Sequence, residues 1–370
     1  MMKRFACLCA AVLVCAVFSA ASCGGRSFRK KAADVPRTAA PALVHPVSLV
    51  WQHKDEPAVD LSRLDKVPGI SVVSPVWYKV TGEYGLVEDG AVDGYVERAH
   101  QKGYQVWPLV TNSFDPDLTH KVLQDAHAQA FVIDQLIAGA EKHGFDGINV
   151  DFENIYQEDR EALTSFVAFL RRRSREKGLI LSMDVTVPSD NFNWSRCYDR
   201  KKLTEQLDYL VLMTYDQYPR LSTVPGPTAS FNWDEAGLQA TLEQGVPPAK
   251  LLFGIPLYMR LWEADAAGGP WRASTLSMAQ ADRLSVEKSL LPGWKREWLP
   301  AEKMFRCSYE ENGKRYVFWQ EDALSLYCKT RLVGQYGLAG TAAWRYGFET
   351  PDVWILLEEE KKPDQEAGSR

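Results

Sequence analysis

Beyond its first residues the chain is poor in cysteine, has few histidines and carries no strong excess of either charge. Of seven cysteines, Cys7, Cys9, Cys15 and Cys23 lie in the N-terminal stretch, leaving Cys197, Cys307 and Cys328 for the body of the chain. Three cannot all pair with one another, so a disulfide-dense scaffold is excluded; one disulfide plus a free thiol, or buried free thiols, remain. No cysteine or histidine spacing suits a metal, and His53, His100, His120, His127 and His143 show no convergence, so no metal is expected. A formal charge of −5 lacks the basic excess that binding nucleic acid requires. A glycine-rich phosphate loop is also missing, which argues against a doubly wound nucleotide-binding sheet; no cofactor is expected.

Only one long apolar run occurs, from Phe5 to Ala21, after Met1-Met2-Lys3-Arg4 and before Ser22-Cys23-Gly24-Gly25. A basic start, an apolar centre and small residues at the end predict an export signal over 1–22 rather than a spanning helix. Ala20-Ala21-Ser22-Cys23 also has the form of a bacterial lipoprotein box, with Cys23 as the lipidated residue anchoring the chain to a membrane of the cell envelope. Ala20 stands where leucine is commoner, so plain cleavage and an uncleaved anchor stay open. Residues 23–46 are small, basic and proline-containing without periodicity and read as a flexible tether; the charged stretch 358–370 reads as a disordered tail.

What remains is the composition of a folded domain, 46% hydrophobic and 25% charged, with 12 Trp and 15 Tyr that supply core and flat surfaces of the kind sugar rings contact. Strand-like runs recur at 47–51, 70–77, 105–111, 147–152, 180–187, 207–215, 251–258 and 340–344. Helical patterns lie between them at 91–101, 129–143, 158–177 and 322–336, followed by Gly103, Gly144, Gly178 and Gly337 as C-caps. Eight βα units predict a (β/α)8 barrel of the α/β class over 47–357, expected to be monomeric, with catalytic groups at the C-terminal strand ends. The rhythm breaks once, at 259–319. There Asn312-Gly313 between alternating runs predicts a type I′ hairpin within a small β-rich insertion between strands seven and eight, walling one side of the mouth.

Within the fourth run, Gly147-Ile148-Asn149-Val150-Asp151-Phe152-Glu153, polar residues take every second position. On a strand these share one face. Carboxylates directed into an interior are costly unless they are paired or used, so Asp151 and Glu153 are candidates for acid/base chemistry. Trp77, Tyr215-Asp216, Tyr258 and Trp344 sit at other strand ends and would converge on the same mouth.

Phe145-Asp-Gly-Ile-Asn-Val-Asp-Phe-Glu153 resembles the DGxDxDxE signature of glycoside hydrolase family 18. Leu212-Met-Thr-Tyr-Asp216, Gly254-Ile-Pro-Leu-Tyr-Met-Arg-Leu-Trp262 and Gly340-Thr-Ala-Ala-Trp344 resemble the family's sixth-, seventh- and eighth-strand motifs, and the closing segment is most similar to the bacterial branch related to spore-germination peptidoglycan hydrolases. The resemblance implies cleavage of β-1,4 bonds at N-acetylglucosamine by substrate-assisted, retaining catalysis. On that reading Glu153 is the acid and then the base, Asp151 orients the 2-acetamido group, Tyr215 bonds its carbonyl, Asp216 assists and Trp344 floors the subsite. Met213, Tyr258, Trp77 and Arg260 would be further substrate contacts. Asn149, where many chitinases carry Asp, is placed with the substrate-binding residues and expected to bond Asp151. Peptidoglycan or its fragments, chitin oligomers, and a non-catalytic lectin-like role are the three functions in play.

Overall fold

A computed structural model describes residues 40–53 and 60–359. Eight parallel strands form the barrel: β1 Val47–Gln52, β2 Val72–Val80, β3 Leu109–Thr111, β4 Gly147–Asp151, β5 Ile180–Thr186, β6 Tyr209–Met213, β7 Leu251–Pro256 and β8 Gly340–Trp344. Each pairs with its neighbour in sequence, and β8 pairs with β1, so the sheet closes on itself. The third run is split: Gln105–Val106 and Leu109–Thr111 both pair with β2, and Pro108, which has no N–H to give the ladder, lies between them. Closure also constrains a backbone. Gly340 has φ +148°, and a Cβ there would fall 1.9 Å from the carbonyl oxygen of Val47, so the β8–β1 contact requires glycine.

Strand alternation sorts the core into two layers. Val47, Leu49, Trp51, Val72, Trp107, Leu109, Val211 and Leu252 pack together inside the barrel. The alternate residues, among them Val50, Ile148, Val150, Phe152, Leu181, Met183 and Val185, pack outward with the helices. Burying each such aliphatic side chain contributes about 1.5–3 kcal/mol, so register is strongly specified: a one-residue slip would turn every outward apolar residue of β4 into the interior. The same alternation leaves Asn149 and Asp151 on the inner face of β4, and Ser182 and Asp184 on the inner face of β5.

Helices between the strands begin and end where their caps dictate. The helix Ala126–His143 starts at Asp125, whose carboxylate accepts from the N–H groups of His127 and Ala128, and stops at Gly144 with φ +78°. The final helix, Asp352–Glu359, carries the folded chain past Leu357, where the sequence reading ended the domain; Glu358 accepts from the Gly69 N–H at 2.7 Å. The export signal, Cys23, the tether up to residue 39 and the tail from residue 360 lie outside the described residues.

Between β7 and β8 stands a second, antiparallel sheet of five strands in the order Arg272–Ser277, Tyr258–Asp265, Lys314–Gln320, Met304–Glu311, Lys295–Leu299. Its hairpin turns at Asn312 (φ +51°) and Gly313 (φ +72°), the left-handed pair that a type I′ turn requires. One boundary differs from the sequence reading. The apolar run 251–258 is not one strand, because β7 ends at Pro256, and Tyr258 begins the second sheet. Cys197, Cys307 and Cys328 are all free thiols, the first two buried.

Candidate active site

A cleft of about 470 Å³ opens at the C-terminal end of the barrel. Asp151, Glu153, Asp184, Met213, Tyr215, Asp216, Tyr258, Trp77 and Trp344 all line it, so one mouth collects groups from five barrel strands or the loops that follow them and from the second sheet.

Glu153 lies two residues beyond the end of β4, where the ladder no longer fixes the backbone. Asn112, buried just past β3, takes over. Its Oδ1 accepts from the Glu153 N–H at 3.0 Å and its Nδ2 donates to the Glu153 carbonyl at 2.7 Å and to Thr119 Oγ1 at 2.8 Å. An amide side chain thus stands in for a strand partner. Tyr198 adds a second tie, its hydroxyl donating to the Phe152 carbonyl at 2.8 Å.

Three carboxyl groups, Asp151, Glu153 and Asp184, crowd this floor. Burial pushes Asp151 up to about 7. Glu153 is held well above the ordinary carboxylate range, first by burial and then by repulsion from Asp151, Asp184 and Asp216. Asp184 is raised likewise by burial and by Asp151, against a lowering hydrogen bond from Asn149. Glu153 therefore holds its proton more tightly than a solvated carboxyl does. Asp151 Oδ1 is buried without a hydrogen-bond partner among the described residues, an acceptor left open towards whatever fills the cleft.

Around the floor stand aromatic walls. Trp344, at the end of β8, packs against Trp51 (ring centroids 5.7 Å apart) and His53 (6.0 Å). Tyr215 meets Tyr258 edge-on at 6.2 Å. Asp216, with φ +58°, accepts from the Tyr258 hydroxyl at 2.8 Å and from Arg260 Nη2 at 2.6 Å. Trp77 reaches the cleft but is only 8% exposed, its ring packed edge-on to Tyr95 at 5.0 Å and tilted against Phe145 at 5.7 Å, so most of it is core.

Two expected contacts are corrected. Asn149 is fully buried and does not line the cleft. Trp51 Nε1 donates to its Oδ1 at 2.8 Å, and an indole N–H only donates, so the amide is fixed with Nδ2 facing Asp184 Oδ1 (2.7 Å) and Ser182 Oγ (3.1 Å). Asn149 therefore serves Asp184 rather than Asp151 or a substrate, because it sits one layer deeper on the shared face. Arg260 also stays outside the cleft lining. Its guanidinium is spent on Asp216 and on Thr275 Oγ1, so it orients Asp216 from behind.

Asp184, Asn112 and Tyr198 are the site residues that the sequence reading missed. For Asp184 a signal existed in the alternation Ser182, Asp184, Thr186 on β5. For Asn112 and Tyr198 none did, since each acts on a distant backbone.

A glycosidase is the class of protein that this barrel and its carboxyl-lined, aromatic-walled mouth define. More closely, the chain belongs to the glycosyl hydrolases family 18, whose model matches residues 99–349. The glycosylase YvbX of Bacillus subtilis is 30% identical over 271 residues, 70% of this chain and 76% of that protein. The cortical fragment-lytic enzyme of Bacillus anthracis is 31% identical over 264 residues, 68% of this chain but only 59% of that protein. Among solved structures, a chitinase from Chromobacterium violaceum superposes with a TM-score of 0.76 at 26% identity, covering 86% of this chain and 99% of that one. The spore cortex-lytic enzyme SleL of Bacillus cereus superposes with a TM-score of 0.75 at 25% identity, covering 85% and 73%.

Proposed function

We propose that this glycosidase cleaves the β-1,4 bond at N-acetylglucosamine in peptidoglycan or its fragments, with retention, through participation of the substrate's own acetamido group. The reading rests above all on Glu153, a half-buried carboxyl at the bottom of an open cleft whose hold on its proton is strengthened by burial and by three neighbouring acids. Glu153 gives its proton to the leaving glycosidic oxygen while the acetamido carbonyl oxygen closes on the anomeric carbon, forming an oxazolinium. Glu153, now a carboxylate, takes a proton from water as that water opens the ring. Holding the nucleophile within the substrate removes a bimolecular step. The open Oδ1 of Asp151 suits the acetamido N–H, and the half-buried Tyr215 suits its carbonyl. Trp344 offers a flat face to the sugar ring.

Peptidoglycan is favoured by the cortical fragment-lytic relatives. Chitin oligomers are the second reading, favoured by the chitinase superposition. Incubation with purified peptidoglycan and with chitin oligomers, followed by mass analysis of new reducing ends, decides between them; release from neither sinks both. Glu153→Gln is expected to lower turnover by at least about 100-fold, the share a general acid typically supplies. Near wild-type hydrolysis by that variant would refute the mechanism. Export with lipidation at Cys23 belongs to the same proposal, since it would keep the barrel at the envelope; metabolic lipid labelling lost in Cys23→Ala tests it.

A further inference from the structure

A second hollow, of about 300 Å³ and sharing no lining residue with the cleft, lies where the loop after β5 meets the start of the helix Arg160–Glu176 and the end of the helix Phe231–Glu243. Four cations line it, Arg160, Arg196, Arg200 and Lys201, against one carboxylate, Asp199. The glycosidase mechanism uses none of them.

Arg200 is the unusual member. It is 3% exposed, yet every acceptor it meets is neutral: Nη1 donates to the Ser195 carbonyl (3.3 Å) and Gln244 Oε1 (3.5 Å), and Nη2 to the Thr186 carbonyl (2.7 Å) and Ser195 Oγ (3.0 Å). The guanidinium carbon lies 5.5 Å from the centre of the Tyr198 ring, and Nε is buried with no hydrogen-bond partner among the described residues. Three other buried cations are neutralised by acids: Lys329 by Glu321 and Asp234, Lys288 by Glu311, Arg260 by Asp216. A buried charge without a counter-ion costs several kcal/mol. Burial pushes Arg200 down to about 10, with repulsion from Arg160 acting in the same direction. The rim cations do have acidic neighbours, Asp199 at 3.4 Å from Arg160 and Asp190 at 2.6 Å from Arg196. Asp190, however, is almost wholly exposed and screened by solvent, so the hollow keeps a positive excess.

We propose that this hollow is a binding site for a small oxyanion of the phosphate type, with the Arg200 guanidinium as its floor and Arg160, Arg196 and Lys201 as its rim. The Nη groups of Arg200 are already committed to the protein, so the anion supplies the counter-charge and the Nε acceptor that the fold withholds, and the rim cations supply its remaining donors.

The test is isothermal titration of the full chain with inorganic phosphate, and separately with dimethyl phosphate, against a chloride background. One saturable site is expected, lost in Arg200→Met and weakened at least about tenfold in Lys201→Glu by charge reversal at the rim. It is expected to persist in Glu153→Gln, which separates it from the cleft. Preference for inorganic phosphate assigns a free or terminal phosphoryl group, and equal binding of dimethyl phosphate assigns a diester. Absence of saturable binding to the wild-type chain overturns the proposal, as does binding that Lys201→Glu and Arg196→Glu leave unchanged. Those two surface variants decide the matter if Arg200→Met does not fold.

Discussion

Replacing Asp184 by Asn removes one negative charge from the acid cluster while keeping its shape, since the new amide oxygen still accepts from Asn149 Nδ2. Val150 on β4 pairs with Met183 on β5, so Asp151 and Asp184 occupy the next register step on adjacent strands. Neighbouring strands lie about 4.8 Å apart. At about 5 Å and an effective dielectric near 20, two unit charges repel by about 3 kcal/mol, or about 2 pH units, and Glu153 is one step further away. Asp184 raises Glu153, so neutralising it lowers Glu153. In the proposed mechanism Glu153 acts in its protonated form, so its ionisation would set the alkaline limb of the kcat/KM profile. That limb is expected to move to lower pH by about 1 unit in Asp184→Asn, measured on whichever glycan the wild type cuts. Stability gives a second readout. A carboxyl raised in the folded state, such as Asp151 from 3.8 to about 7, binds protons that the unfolded chain has released, so it lowers stability as pH rises across that window. Asp184→Asn removes one such group and relaxes its neighbours, and should raise the melting temperature above pH 7 relative to wild type. An alkaline limb that stays put or moves upward would refute the account of the cluster.

Asn112→Ala frees the Glu153 backbone and is expected to lower kcat by about 10- to 100-fold with KM little changed, as misplacement of a reacting group does. Asn112→Asp keeps the acceptor for the Glu153 N–H and adds a charge, so its alkaline limb should shift upward; steady-state kinetics across pH checks both. Lys329→Met leaves Glu321 and Asp234 buried without their cation and should cost about 3–5 kcal/mol, read as a lower urea midpoint at unchanged slope. Gly340→Ala places a methyl group against the Val47 carbonyl and should prevent soluble expression or lower the melting temperature sharply.

The barrel was legible because strand-like apolar runs recur eight times and four of the helical patterns between them end in glycine, each a local signal. The face of β4 that carries Asp151 was legible for the same reason. Depth was not. Alternation tells which side of a strand a residue occupies but not which layer of the barrel it reaches, so Asn149 was grouped with the substrate contacts although it lies beneath them. Asp184 went unread because one acid between Ser182 and Thr186 looks like an ordinary amphipathic strand, and only closure of the sheet sets it beside Asp151. Tyr258 was assigned to the end of β7 because the apolar run continues past Pro256; the bend at Leu257 that starts a second sheet leaves no local mark. Asn112, which pairs with a backbone 41 residues away, is visible only in three dimensions.

The Asn112 tie also divides the mouth into two mechanically separate halves. The proton donor is fixed from β3 and by Tyr198, whereas Tyr258 and Arg260 of the inserted sheet grip Asp216, beside Tyr215. Lengthening or reshaping the insertion would therefore move Asp216 and Tyr215, which the proposed mechanism sets against the sugar's side group, without loosening the backbone of Glu153. Exchanging that sheet for another would act on Asp216 and its neighbour Tyr215 while leaving the tie on the Glu153 backbone in place.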